Sequence, residues 1–194
     1  MEKIIADLHL HTVASSHAYS TIKDYVEQAK NVGIKILGIT DHACMMPGAC
    51  DDYYFYNLHV VPRYIDGILV IRGIEANIID YNGNLDINKR HYESLDLIIG
   101  SFHQNILKSS SIKDNTNAFV EMIKSGKVDI VGHSANKGIQ VDMDEILKAA
   151  RDYNVAIELN NATLKYPTRA GSEGIVIETL EKAYKYNNIL VLNS

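Results

Sequence analysis

Six of the eight histidines and one glutamate stand where apolar runs end. The run Lys3-Ile4-Ile5-Ala6 leads into Asp7-Leu8-His9-Leu10-His11, an Asp-x-His-x-His, and His17 follows shortly after. Further runs end at Ile39-Thr40-Asp41-His42, Gly73-Ile74-Glu75, Ser101-Phe102-His103 and Gly132-His133. Neutral imidazole and carboxylate are the usual ligands of zinc, iron and manganese. The pattern contains no thiolate, which argues against a closed structural zinc site. Ligand types gathered at one end of successive strands describe a catalytic face.

The strand period must position these groups. Residues i and i+2 point to the same side, so Asp7, His9 and His11 are expected on one face and Ile4, Ala6, Leu8 and Leu10 on the other. Helical patterns alternate with the runs. One carries Ile22, Tyr25, Val26 and Ala29 after Ser20 or Thr21 as cap and stops at Gly33. A second spans about residues 115–125 and stops at Gly126. A third opens on Asp142-x-x-Glu145, and a fourth starts near Ser172. Asn82-Gly83 is a hairpin turn signal. Strand–helix alternation implies parallel strands with right-handed crossovers. Seven strands are counted, ending with 155–159 and 189–192. Ligands from many strands meet most readily at the mouth of a closed barrel, whose strand ends form one ring.

The chain of 194 residues, 46% hydrophobic, suits one domain across residues 1–194. A net charge of −5 offers no footprint for nucleic acid. No apolar run reaches the roughly 18 residues that span a bilayer. Cys44 and Cys50 read as reduced thiols, and without a signal peptide ahead of them the expected compartment is cytoplasmic.

The five strand-end motifs, in this order and together with Val13-Ala14-Ser15-Ser16-His17-Ala18-Tyr19-Ser20 and Leu95-Asp96-Leu97-Ile98-Ile99-Gly100, resemble the PHP (polymerase and histidinol phosphatase) superfamily, closest to its YcdX-like phosphatase group. The resemblance runs from residue 5 to the last residue. It implies a distorted, TIM-like seven-stranded β/α barrel with up to three metal ions, usually zinc and sometimes manganese or iron. By position, His9 and His11 would hold one ion with Glu75. Glu75 would bridge to a second ion held by His103 and His133, and His17 and His42 would hold the third. The family completes the site with an Asp-x-His after the seventh strand. This chain stops at Val191-Leu192-Asn193-Ser194, so the resemblance implies a C-terminally truncated domain. Without a covering helix, the outer face around Ile189 and Val191 would be exposed and would favour a homo-oligomer.

The implied reaction is hydrolysis of a small phosphorylated substrate, a phosphomonoester, by metal-activated water. Glu75 would be central to it. Arg169 would hold phosphate or be a solvated surface residue. Asp7 and Asp41 read as acceptors that orient imidazoles or as loop caps. Glu158 and Asn160 share a strand face and would line the mouth or serve structure, so replacing Glu158 is expected to leave activity within about tenfold. Tyr53, Tyr54 and Tyr56 are placed with Phe55 in a loop, covering the mouth or packing locally. His59 and His91 read as surface residues. The competing functions are a non-catalytic metal-binding module, a histidinol phosphatase and a nuclease module, the last disfavoured by the acidic charge.

Overall fold

In the computed structural model, which describes residues 3–165 and 171–194, strands and helices alternate along the chain. The first half contains β1 (Ala6–Leu10), α1 (Ile22–Val32), β2 (Ile36–Ile39), α2 (Asp52–Asn57), β3 (Tyr64–Ile65), β4 (Ile68–Asn77) and α3 (Lys89–Ser94). The second contains β5 (Leu97–Ser101), α4 (Ile112–Lys124), β6 (Ile130–Val131), α5 (Met143–Asp152), β7 (Ala156–Asn160), α6 (Ala162–Lys165), α7 (Glu173–Tyr186) and β8 (Leu190–Asn193).

Seven strands pair in the order β1-β2-β4-β5-β6-β7-β8, each pair parallel, and the short β3 adds antiparallel to β4. The sheet curls until β8 meets β1, giving the nearly closed seven-stranded barrel that the sequence implied. Side chains make this last seam. Asn193 Oδ1 accepts the Leu8 N–H at 2.8 Å, and Asp7 Oδ1 accepts the Ser194 N–H at 3.3 Å.

Alternation fills the barrel in layers. Leu97, Ile99, Ile130 and Ala156, with Leu8, Ile71 and Val191, plug the interior. Two residues further along their strands come Glu158 and Asn193, and on β4 Glu75 stands four residues beyond Ile71. Val191 thus faces inward and not onto the expected outer face, and Ile189 and Leu192 are the exposed apolar residues at this end of the chain. The opposite faces of β4 to β7 give Ile74, Ala76, Ile98, Val131 and Ile157 to a core shared with α4 and α5. Strict alternation fails in β1. A bulge between Asp7 and Leu10 shifts the register against β2, so Leu8 enters the barrel interior while Leu10 joins the cluster under α1. An extra residue on one strand switches the face of all that follow. Gly38 makes room for it, because a methyl group there would sit 2.7 Å from the Leu8 Cα.

The helix signals hold with small shifts. Thr21 and Asp24 form a reciprocal capping box on α1, and Gly33 ends it at φ +87°. Asp142 caps α5. Helix α4 starts at Ile112, ahead of the expected 115, because the Ser111 hydroxyl accepts from the Asp114 N–H and caps an earlier turn. Residues 52–57 form a helix capped by Asp51, not the expected loop, and bury Phe55. Asn82-Gly83 turns the chain as expected, closing an Ile78–Leu85 bridge. No helix among the described residues is long and apolar enough to cross a membrane.

Candidate metal centre

Glu75, near the end of the longest strand, is fully buried inside the barrel mouth. Its Oε1 lies 3.1 Å from His9 Nε2, 3.3 Å from His103 Nε2 and 3.0 Å from His133 Nε2. Its Oε2 lies 3.3 Å from His11 Nε2 and 2.7 Å from His42 Nδ1. His17 reaches the group from the loop after β1, with its Nε2 3.1 Å from His42 Nε2. All seven metal-binding candidates read from the sequence are therefore brought to one place, at the C-terminal ends of β1, β2, β4, β5 and β6. Among the described residues, donor atoms lie within 4.8 Å of one another in three groups, His11–His17–His42, His9–Glu75–His133 and His42–Glu75–His103.

This donor set suits cations. Three ring nitrogens crowd one carboxylate oxygen, more than ordinary hydrogen bonding to that atom calls for. His42 Nδ1 and Glu75 Oε2 approach closely, yet neither buried atom makes a hydrogen bond. Six imidazoles and a carboxylate, with no sulfur, match zinc, iron or manganese. The electrostatics are steep. Burial opposes charge on Glu75, but His9, His103 and His42 hold its carboxyl well below the usual range. Burial, reinforced by His42, His9 and His17 against the pull of Glu75, drops His11 to about 2. Burial and His42 also lower the more open His17. Such rings keep a lone pair available near neutral pH.

A supporting layer fixes the candidate ligands. Asp41 is fully buried and touches no imidazole directly. It accepts from Thr12 N–H and Oγ1, Ser15 Oγ and Tyr54 Oη at 2.6–2.8 Å. Ser15 Oγ in turn lies 3.4 Å from His11 Nδ1 and accepts the His42 N–H at 3.1 Å. Asp41 thus ties down the loop that carries His17, and α2 contributes through Tyr54 in place of a lid. Asp7 accepts backbone N–H groups of His9 and Ser194 and orients no ring.

Three supporting residues escaped the sequence reading or were underweighted by it. Asn77 Oδ1 lies 2.7 Å from His103 Nδ1, and Asp86 holds that amide. Their signal was Asn77's position two residues beyond Glu75 on the same face. Glu158 lies 2.6 Å from His9 Nδ1 and accepts the His133 N–H at 2.7 Å. Burial raises its pKa, but His9 and the other donors bring it to about 2. His59 is exposed as expected. His91 is not on the surface: it is buried, takes the Asn88 N–H on Nδ1 and faces Asp52, joining α3 to α2. The Asn88-x-x-His91 spacing of a capping box was the missed clue. Arg169 lies outside the described residues. Cys44 and Cys50 are free thiols.

A family model for the PHP domain matches residues 7–162. A protein named probable phosphatase from Caldicellulosiruptor saccharolyticus is 43% identical over 188 residues, covering 97% of this chain and 78% of that protein. One of the same name from Aeromonas hydrophila is 42% identical over 192 residues, covering 99% and 78%. Among solved structures, a histidinol phosphate phosphatase from Lactococcus lactis, complexed with zinc, L-histidinol and phosphate, matches with a TM-score of 0.66 at 15% identity over 97% of this chain and 84% of that one. At that identity the likeness speaks to the fold alone.

Proposed function

Because this chain belongs to the PHP domain family, we propose that it is a metal-dependent phosphatase that hydrolyses small phosphomonoesters. The observation that carries this reading is the convergence of six imidazoles on the buried Glu75 carboxylate. His9, His11, His17, His42, Glu75, His103 and His133 would hold up to three ions, with zinc the first choice and manganese or iron the alternatives. Bound ions would lower the pKa of a water and neutralise phosphoryl oxygens.

The chain's own residues then have defined tasks. Glu75 supplies the negative charge that keeps cations close together. His11 and His17, deprotonated by their surroundings, are ready to ligate without first losing a proton. Asn77 and Ser15 hold His103 and His11 by their Nδ1 atoms, leaving Nε2 of each facing the centre. Arg169 remains our candidate for holding phosphate. The net charge of −5 supports a small substrate over a polynucleotide.

The test is metal analysis of protein purified without chelator, paired with hydrolysis of p-nitrophenyl phosphate. We expect zinc, manganese or iron in the protein, and turnover that a chelator abolishes and added metal restores. His103→Ala combined with His133→Ala should remove part of the bound metal and the activity with it. Unchanged metal content in that double variant would sink the ligand assignment. Metal-replete protein without phosphatase turnover would favour the non-catalytic module.

A further inference from the structure

Four donors converge on one buried carboxylate that is not among the ligand candidates. Glu158 Oε1 lies 2.6 Å from His9 Nδ1, 2.8 Å from Asn193 Nδ2 and 3.3 Å from Asn160 Nδ2. Its Oε2 accepts the His133 N–H at 2.7 Å. A glutamine could not take this place: its amide would turn N–H groups toward either the His133 N–H or the donors on the other side. The same Asn193 accepts the Leu8 N–H through Oδ1, so the side chain that closes the barrel seam also seats Glu158.

Both histidines that meet Glu158 belong to the His9–Glu75–His133 group. Glu75 Oε1 lies 3.1 Å from His9 Nε2, so with the proton on Nδ1 toward Glu158 the Nε2 lone pair would go to a cation that His9 shares with Glu75. The opposite tautomer would set a lone pair against a carboxylate oxygen at 2.6 Å. His133 has φ +25°, a conformation rare outside glycine, and such a backbone persists only where its surroundings hold it. The Glu158 oxygen on its N–H is one such restraint.

We propose that Glu158, seated by Asn193, is a positioning residue that fixes the His9 tautomer and the His133 backbone, and so organises the two ions that these histidines would hold on either side of Glu75. This rests on the metal-centre reading above. It also revises the expectation that Glu158 is replaceable. No hydrogen bond joins Glu158 to His17 or His42, which would hold the third ion, and that ion supplies an internal control.

The experiment compares wild type, Glu158→Gln and Asn193→Ala, each as the full chain. Zinc affinity is measured by competition with a chromophoric chelator. Long-range proton–nitrogen NMR reads the His9 ring in zinc-loaded wild type, and circular dichroism checks the fold. We expect His9 to be metal-bound at Nε2 and protonated at Nδ1. Glu158→Gln should lose about 10- to 100-fold in affinity for the zinc that His9 and His133 hold while one zinc per chain, that of His17 and His42, binds as in wild type, and Asn193→Ala should lose less at the same sites. A folded Glu158→Gln with wild-type affinity at every site overturns the proposal. So does a His9 ligated through Nδ1, which the wild type alone reveals should Glu158→Gln fail to fold. Wild type that binds no zinc, manganese or iron defeats the metal-centre reading itself, and this inference with it.

Discussion

Glu75 is surrounded by ring nitrogens on both oxygens, and that determines what its replacement does. A glutamine keeps the shape but loses the charge, and its amide N–H groups would face ring nitrogens needed as lone-pair donors. We expect Glu75→Gln to lower kcat/KM by at least about a hundredfold, equivalent to about 2.7 kcal/mol, and to lower bound metal, as read by metal analysis alongside p-nitrophenyl phosphate kinetics. Activity within tenfold would contradict a bridging role. The two thiols make an opposite prediction. Burial and the Asp52 carboxylate raise Cys44 to about 11, and burial with Asp41 raises Cys50 to about 12. A raised thiol pKa means less thiolate at any pH below it. Alkylation by iodoacetamide at pH 8 should therefore run at least about tenfold slower than for an ordinary exposed thiol and accelerate as pH rises toward 11. Reaction at the ordinary rate would show that neither environment suppresses ionisation.

Elements earn their place by what they hold still. Helix α2 looks peripheral, yet its Tyr54 hydroxyl donates to Asp41, which grips the loop bearing His17. Tyr54→Phe removes that donor and leaves three. The expected cost is about 1 kcal/mol of stability, with weaker binding of the ions that His11, His17 and His42 would hold and little change at His103 and His133. Denaturant unfolding and metal titration together would check this. The Asn82–Gly83 turn is held differently. Gly83 has φ +75°, and a methyl group there would overlap the backbone of Glu121 and Met122 in α4. Gly83→Ala combines left-handed strain with a clash against a rigid helix, so at least about 2 kcal/mol should be lost. For a chain of this size that lowers Tm by about 4 to 8 °C, readable by calorimetry. An unchanged Tm would mean that the turn can move off α4.

On the scale of the whole barrel, the centre joins five strands at one mouth. Ions that bind only the folded state must stabilise it, because the ligands lie far apart in sequence and the unfolded chain cannot gather them. One site at a free metal concentration about a thousandfold above its Kd adds about 4 kcal/mol. Removal of metal by a chelator should thus lower Tm markedly and reversibly, and scanning calorimetry with and without added zinc decides the matter. Equal melting in both conditions would mean that the donor cluster does not bind metal in solution.

The sequence by itself determined the types of the candidate ligands, the strand ends they occupy and the strand–helix order, because these depend on composition and on periods of about two and 3.6 residues. His9, Glu75 and His133 were legible as candidate ligands from such spacing alone, and Thr21 and Gly33 as the ends of a helix. The bulge in β1 was not legible, since it arises from how Leu8 and Gly38 fit across two strands. Nor was the burial of His91, which only the approach of α2 to α3 produces. The weight borne by Asp41 and Glu158 also had no local signature, and Asn77 offered only its place two residues beyond Glu75. Their work lies in hydrogen bonds to residues tens of positions away, or 149 away for Glu158 and His9, and only closure of the barrel brings such partners within reach.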